Sequence, residues 1–319
     1  MQNTKLYLVI PCYNEEAVLF ETLERLTALY HSMIEEQQIS RESKIVCVDD
    51  GSRDATWSMI ADAHAANTMI EGIKLSSNRG HQNALLAGLL SVEPYCDCCI
   101  SLDADLQDDI AVIPEFVEKF CQGYDIVYGV RSQRESDTAF KRITANAYYK
   151  MLRLLGADVI ENHADYRLLS RRALGALAEF PEVNLFLRGM VRLVGFRSAT
   201  VYYERRQRFA GESKYPIRKM LSFGLDGVTS FSIKPIRLVW GLGSLVCIFA
   251  VFAAIYAFIA RIFGVAVTGW TSLMISIWFL GGVQLISIGV IGEYIGKIYK
   301  EVKHRPRYII EESTFFSPK

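Results

Sequence analysis

The chain has 319 residues, with 35 basic and 35 acidic side chains and therefore no formal net charge at neutral pH. That length can bury a sizeable core, as one large domain or two ordinary ones. The charge balance lacks the basic excess of a nucleic-acid-binding protein, so no nucleic acid partner is expected.

From the N-terminus, Leu6–Ile10 reads as a buried strand closed by Pro11. Asn14 reads as the N-cap of a helix with Glu15 and Glu16 in its first turn. Ile45–Val48 is a second strand, ended by Asp49-Asp50-Gly51-Ser52, and Ser52 caps a helix to about Ala66. Gly72–Leu75 makes a short strand and Gln82–Leu90 a helix. Cys98–Leu102 is the next strand. Cys96, Cys98 and Cys99 depart from CxxC-type metal spacing and are read as ordinary strand and turn residues. With no secretory signal ahead of them, the seven cysteines are expected to be reduced and cytosolic. Pro114 opens a helix to about Cys121, and Asp125–Val130 is a further strand. Strands alternating with helices predict an α/β domain on an open, mostly parallel sheet with helices on both faces.

From about Lys141 the pattern changes to helical segments with basic loops. In Ala210–Ser232, Tyr215, Ile217, Met220, Leu221 and Phe223 mix with Lys214, Arg218 and Lys219, as in helices lying at a headgroup surface. Leu238–Ala260 then carries no charge, and after Arg261 neither does Ile262–Gly292. A bilayer core needs about 20 apolar residues per helix. The first run fits one span, and the second fits one span plus a short loop near Phe263–Thr271. Lys234 and Arg237 precede the pair and Lys297, Lys300, Lys303, Arg305 and Arg307 follow it, with Arg261 alone between. The positive-inside tendency therefore puts both termini in the cytoplasm. Trp240, Trp270 and Tyr294 suit the interfaces. Gly281-Gly282, Gly289, Gly292 and Gly296 supply small faces for close helix packing, which leaves room for a homo-oligomer.

In open α/β sheets ligands bind beyond the carboxyl ends of the strands. Three loaded loops fall there: Tyr13-Asn14-Glu15, Asp49-Asp50-Gly51-Ser52 and Asp103-Ala104-Asp105. Asp103, Asp105, Asp108 and Asp109 crowd one turn, so two readings stand: a divalent cation relieves their repulsion, or they form a solvated acidic turn before the Pro114 helix. Asp49 and Asp50 fit either a contact to a base or ribose or plain strand-end turn chemistry. A basic set follows: Arg131, Lys141, Arg142, Arg205, Arg206, Arg208, Lys214, Arg218 and Lys219. Arg218 and Lys219 suit anionic lipid heads, whereas Arg205 and Arg208, beside Gly211-Glu212-Ser213-Lys214, suit a phosphate ligand.

The segments Val9-Ile10-Pro11-Cys12-Tyr13-Asn14-Glu15-Glu16, Val48-Asp49-Asp50-Gly51-Ser52-Arg53-Asp54-Ala55-Thr56 and Leu102-Asp103-Ala104-Asp105-Leu106-Gln107-Asp108 together resemble glycosyltransferase family 2. Asp165-Tyr166-Arg167-Leu168-Leu169-Ser170-Arg171-Arg172, Ala210-Gly211-Glu212-Ser213-Lys214-Tyr215-Pro216 and the paired spans resemble its polyprenyl-phosphate glycosyltransferases, the bactoprenol glucosyltransferase and dolichol-phosphate mannose synthase branch. The resemblance implies a GT-A fold and inverting transfer of a hexose from a nucleotide-sugar, such as UDP-glucose or a related UDP-sugar, to polyprenyl (undecaprenyl) phosphate. It implies that Pro11, Tyr13, Glu15 and Asp50 line the nucleotide pocket, with Asp49 beside them. Asp103 and Asp105, helped by Gln107, would hold Mg²⁺ or Mn²⁺ against the diphosphate. Arg131, Arg205, Arg208 and Lys214 would face the acceptor phosphate, and Asp165 would orient acceptor or sugar, its alternative being a buried partner of Arg167 or Arg171. Two segments depart from the family pattern. Asp108-Asp109-Ile110 stands where relatives commonly carry a proline pair, and His81-Gln82-Asn83 stands where many relatives have lysine and glutamate or alanine, a change that bears on which donor sugar is accepted.

The expected organisation is a cytoplasmic catalytic domain over 1–209, interfacial helices over 210–235, two transmembrane helices within 236–296 and a cytoplasmic tail over 297–319. The rivals are a polysaccharide synthase of the same superfamily, which would carry a Gln-x-x-Arg-Trp segment, and a non-catalytic membrane scaffold, which would have broken acidic boxes. This chain lacks the first and keeps the acids.

Overall fold

The computed structural model describes residues 4–132, 163–204, 234–263 and 269–315. They fall into two compact units: a sheet with its helices, which includes the segment from Arg305, and a pair of long helices with the chain as far as His304.

In the first unit β1 (Leu6–Cys12), β2 (Lys44–Asp49), β3 (Ile70–Leu75), β4 (Cys98–Ser101), β5 (Ile126–Arg131), β6 (His163–Ser170), β7 (Ser198–Tyr203) and β8 (Ile310–Ser313) form one sheet in the order β7-β5-β6-β4-β1-β2-β3-β8. The pairs β1–β2, β1–β4, β2–β3 and β5–β7 are parallel. β6 inserts antiparallel between β4 and β5, and β8 closes the β3 edge antiparallel. The fold is thus the α/β, mostly parallel sheet that strand–helix alternation predicts. β1 (Leu-Tyr-Leu-Val-Ile-Pro-Cys) is buried throughout, as a central strand covered on both faces must be. The free thiols of Cys98 and Cys99 are buried in β4, where desolvation pushes them well above the ordinary range, so they pack and do not react.

The helices are α1 (Leu19–Glu35), α2 (Thr56–Ala66), α3 (His81–Val92), α4 (Ile113–Cys121), α5 (Arg171–Ala178) and α6 (Leu187–Leu193). Leu19, Leu23, Leu26, Tyr30 and Met33 recur at helical spacing and turn one face of α1 into the core. α3 lies against the sheet closely enough that a Cβ at Gly88 would stand 2.4 Å from Val9 Cγ1 and 2.7 Å from Val48 Cγ2. Only glycine fits there.

Two capping expectations are corrected. α1 starts at Leu19 and α2 at Thr56, so neither Asn14 nor Ser52 is an N-cap. Asn14 instead takes a left-handed backbone (φ 54°). Its N–H donates to Ser52 Oγ (3.0 Å) and its Oδ1 accepts from the Arg53 N–H (2.9 Å), lacing the β1 loop to the β2 loop. Both side chains do satisfy loop backbone, but across strands and not within one helix. Pro11 lies inside β1, opposite Val48. β1's pairing with β4 ends at Val9–Ser101, and the Cys12 carbonyl accepts from Asp50 on the β2 side. The missing N–H of Pro11 therefore faces the side where that ladder has stopped.

The segment after the second long helix, expected as a tail, returns to the sheet as β8. Lys74 of β3 pairs with Glu312 (3.0 Å) and Glu311 (3.4 Å), the Ser76 N–H donates to the Ile309 carbonyl, and Phe315 packs edge-on against Tyr7 and Tyr95. Covering β3 removes an unpaired strand edge.

In the second unit, α7 (Lys234–Ile262) and α8 (Trp270–Val302) are long and apolar enough to cross a membrane, with windows of mean hydropathy 2.1 over Ile236–Ala253 and 1.4 over Ser276–Val302. Neither window is buried by protein. The expected interfacial stretch, Ala210–Ser232, lies outside the described residues.

Candidate active site

β1, β2 and β3 run outward from the sheet centre in sequence order, and β4 returns to the other side of β1. The strand order therefore reverses between β1 and β4, and the crevice of an open α/β sheet opens at such a reversal. The Tyr13 loop leaves β1 there and the acidic box leaves β4.

On the β1–β3 side the loops are tied into one another. Asp50 is 2% exposed; its Oδ1 accepts from the Arg79 N–H (2.7 Å) and its Oδ2 from the Gly80 N–H (2.9 Å). Burial pushes this carboxyl up, and the two backbone bonds pull it partly back. Asp49, fully buried, accepts from the Ser52 N–H (3.2 Å). The Glu15 N–H donates to Thr56 Oγ1 (2.9 Å), and Glu16 takes the Ala55 N–H (3.0 Å) while its own N–H goes to Asp54 (3.2 Å). Gly51 (φ 67°) touches the next loop so closely that a Cβ would stand 2.7 Å from the Asn78 nitrogen. Tyr13 stands out of this frame, 42% exposed at the rim.

The box after β4 is held by its backbone. Thr22 Oγ1 donates to the Ala104 carbonyl (2.8 Å), Tyr166 OH to the Asp109 carbonyl (3.1 Å), and the Gln107 N–H to Asp105 Oδ1 (3.1 Å). Leu106 carries φ 53°, a strained choice for a leucine that turns the loop sharply between Asp105 and Gln107. Asp108, 2% exposed, belongs to the frame: Oδ1 accepts from Tyr203 OH (2.6 Å) and Arg131 Nη2 (3.1 Å). Arg131 is thus neutralised by a buried aspartate, and its Nε also bonds Tyr203 OH (3.2 Å). Burial works against its charge, but Asp108 raises its pKa.

Asp103 points elsewhere. Burial, together with Asp108, Asp165 and Asp105, pushes its pKa up to about 6 even with His81 opposing. A carboxylate kept this uncomfortable by desolvation and by its own kind suits a cation. Among the described residues no group of three or more His, Cys, Asp or Glu side chains is arranged to hold a metal by itself. Mg²⁺ and Mn²⁺ are bound through one or two carboxylates and complete their shell with waters and substrate phosphates, so Asp103 and Asp105 fit such an ion.

Asp165, on β6 opposite the box, has the reverse character. Arg188 grips it bidentately, Nε on Oδ1 at 3.2 Å and Nη2 on Oδ2 at 3.1 Å, and Arg167 Nη2 bonds Oδ1 as well. Burial would raise this carboxyl, yet Arg188, His81 and Arg167 hold it well below the usual range. It stays ionised with its lone pairs occupied, which makes it a poor proton acceptor and a good orienting anion. His81, at the start of α3, bridges the two acids, with Nε2 3.6 Å from both Asp103 Oδ1 and Asp165 Oδ2. Burial lowers the His81 pKa, but the two acids more than offset it and shift it upward. Arg171, the other partner considered for Asp165, turns instead to the Glu93 and Pro94 carbonyls.

The structure thus gathers Asp103, Asp105 and Asp165 at one end of the sheet, places Tyr13, Glu15 and Asp50 on the adjoining loops with Asp49 at the end of β2, and ties Arg131 to Asp108. Arg205, Arg208 and Lys214 lie outside the described residues. Sequence reasoning did not single out Arg188 or Tyr203, and treated His81 only as a departure. The available signal for Arg188 was a lone cation in the apolar run Leu185–Val191.

Residues 7–177 match the family described as Glycosyl transferase family 2, and residues 234–298 match the GtrB C-terminal hairpin. The chain is 53% identical over 306 residues to the "Uncharacterized glycosyltransferase YkoT" of Bacillus subtilis, covering 96% of this chain and 91% of that protein. It is 40% identical over 312 residues, 97% of this chain and 98% of the other, to the "SfII prophage-derived bactoprenol glucosyl transferase" of Shigella flexneri. It is 39% identical over 310 residues, 96% and 98%, to the "Prophage bactoprenol glucosyl transferase homolog" of Escherichia coli. Among solved structures, glucosyl-3-phosphoglycerate synthase from Mycobacterium tuberculosis aligns with a TM-score of 0.47 at 16% identity, over 71% of this chain and 76% of that one. With its acidic box at the reversal of a mixed α/β sheet and its apolar helix pair, the chain belongs to glycosyl transferase family 2 and is a glycosyltransferase.

Proposed function

We propose that this enzyme transfers a hexose, with inversion, from a nucleotide-sugar (UDP-glucose or a related UDP-sugar) to polyprenyl phosphate, undecaprenyl phosphate in particular, at the cytoplasmic face of the membrane. The observation that carries the reading is the pairing of Asp103, crowded by other carboxylates, with Asp165, held by Arg167 and Arg188, the two bridged by His81 at one strand-end crevice of a chain that also has two membrane-length helices. The names of relatives 39% and 40% identical over nearly the whole chain, bactoprenol glucosyl transferases, support the acceptor. The cluster of basic residues at both outer ends of the helix pair, against Arg261 between them, supports cytoplasmic termini.

In this reading Tyr13, Glu15, Asp49 and Asp50 shape the nucleotide side, with the exposed Tyr13 ring available to a planar base. Asp103 and Asp105, with Gln107 fixing the loop, would hold Mg²⁺ or Mn²⁺, which supplies positive charge beside the leaving diphosphate. The acceptor is a lipid monophosphate, whose oxygen is already a nucleophile, so no strong general base is needed. An Asp165 that keeps its charge and spends it on arginines agrees with that. Asp165 then orients, while Arg131, Arg205, Arg208 and Lys214 face the acceptor phosphate. The protein would supply a polyprenyl-phosphate-sugar for cell-envelope glycosylation, and its domains would divide at 1–209, 210–235, 236–296 and 297–319, with 310–313 completing the catalytic sheet.

The test is to incubate the purified full chain with undecaprenyl phosphate and a panel of labelled nucleotide sugars, with Mg²⁺ or Mn²⁺. Label should enter the lipid fraction with one UDP-hexose. No transfer from any donor would favour a membrane scaffold with a transferase-like domain.

A further inference from the structure

Arg188 has no role in the reading above, and its surroundings call for one. Asp165 already has a cation of its own: Arg167, 2% exposed, bonds its Oδ1 from inside the protein. One buried arginine already neutralises one aspartate. Arg188 is a second, and unlike Arg167 it is 43% exposed on its side chain. The Nε and Nη2 of Arg188 are committed to Asp165, while its Nη1 has no protein partner among the described residues. Asp165 therefore acts as a clamp that fixes the plane of the guanidinium and leaves one edge of the fork presented outward.

The mounting is rigid. Arg188 is the second residue of α6, and the N–H of the first, Leu187, donates to Gln82 Oε1 of α3 (3.0 Å). The Leu187 carbonyl accepts from Arg167 (3.4 Å), and the Leu187 side chain is buried. Gln82 adjoins His81, which itself lies 3.6 Å from Asp103 and from Asp165. Arg188 is thus anchored to the helix that lines the acidic box. The charges of both Asp103 and Arg131 act on it.

We infer that Arg188 is a phosphate-binding residue of this site, pre-oriented by Asp165 and offering its free Nη1 edge to an anionic phosphate oxygen of a substrate. This rests on the proposed transfer reaction for the substrate class, not for the geometry. A planar fork that holds a carboxylate on one edge can still donate from the other, which an ammonium cannot do in the same fixed direction. The phosphate comes from the donor diphosphate or from the lipid monophosphate.

The test uses the full chain in detergent with Mn²⁺, measuring UDP binding in one arm and undecaprenyl phosphate binding in the other, with thermal unfolding alongside. Arg188→Ala should weaken one of the two ligands by about tenfold or more, the scale of a charge-assisted hydrogen bond. The affected arm identifies which phosphate is held. Arg188→Lys, which keeps the charge and a contact to Asp165, should unfold near the wild-type temperature and bind that ligand with intermediate affinity. A folded Arg188→Lys with both affinities within about twofold of wild type overturns the inference, as does a folded Arg188→Ala with both unchanged. Because binding is read directly, wild-type protein that binds UDP but not the lipid would sink the acceptor reading alone. Arg188 would then be judged on the UDP arm.

Discussion

On the β1–β3 side of the rim, Asp50, Asp54 and Glu16 accept backbone N–H groups from a neighbouring loop, and Asp49 accepts one from Ser52 of its own loop. On the β4–β6 side, burial together with Asp108, Asp165 and Asp105 raises the Asp103 pKa against the opposing pull of His81, while Asp165 draws in two arginines and the same histidine. Both halves are rich in acids at strand ends, and a count of carboxylates would not separate them. The difference lies in what each oxygen meets. An acid that meets backbone N–H groups gives a loop its shape. One that meets other acids carries unmet charge, and unmet charge is where a cation or a charged substrate finds its place.

The comparison breaks most plainly at Asp105. Asp105→Ala, like Asp103→Ala, should lower the transfer rate by at least about 10²–10³-fold, because electrostatic stabilisation of the leaving group is lost. Membrane insertion and thermal unfolding should be nearly unchanged. Normal turnover by Asp105→Ala with EDTA present would remove the metal from this half of the rim.

Asp50→Ala probes the other half. It strips the acceptor from the Arg79 and Gly80 N–H groups, so the ligand-free protein should lose about 1–3 kcal/mol of stability, read as a fall in Tm. If Asp50→Ala left Tm intact and removed only nucleotide binding, its acid would belong with Asp103 after all.

The smallest effect is the most diagnostic. Asp103 binds its proton more tightly folded than unfolded, its pKa rising from 3.8 to about 6. In metal-free protein its contribution to stability therefore falls as pH rises through that window. Asp103→Asn carries no such charge and should melt slightly higher than wild type at pH 7.5. The gain should fade as the pH drops through 6 and vanish near 4, while activity is lost throughout. A melting difference that is the same at every pH would show that Asp103 is not strained by its neighbours.

Local patterns were legible in the chain for local reasons. Runs such as Leu6–Ile10 and Ile45–Val48 could be read as strands because a doubly covered strand needs unbroken apolar residues. Pro114 marked the start of α4 because a first turn tolerates its missing N–H. Asn14 and Ser52 misled because either side chain can cap a helix or a loop, and the partner that decides, some 38 residues away, is chosen by strand pairing. The antiparallel β6 between β4 and β5 and the return of β8 to β3 were equally hidden, since pairing over such distances leaves no periodic trace.

By itself, then, the sequence determined the α/β alternation, the strand-end position of Asp103 and Asp105, the two membrane-length runs and the family. Each depends on the order and type of neighbouring residues. Only the tertiary structure decided that Asp108 is a buried brace for Arg131, that Asp165 is held by Arg188 as well as Arg167, and that His81 spans Asp103 and Asp165. The charge state of an acid depends on what lies within a few ångströms of it, and folding sets that distance across dozens of residues.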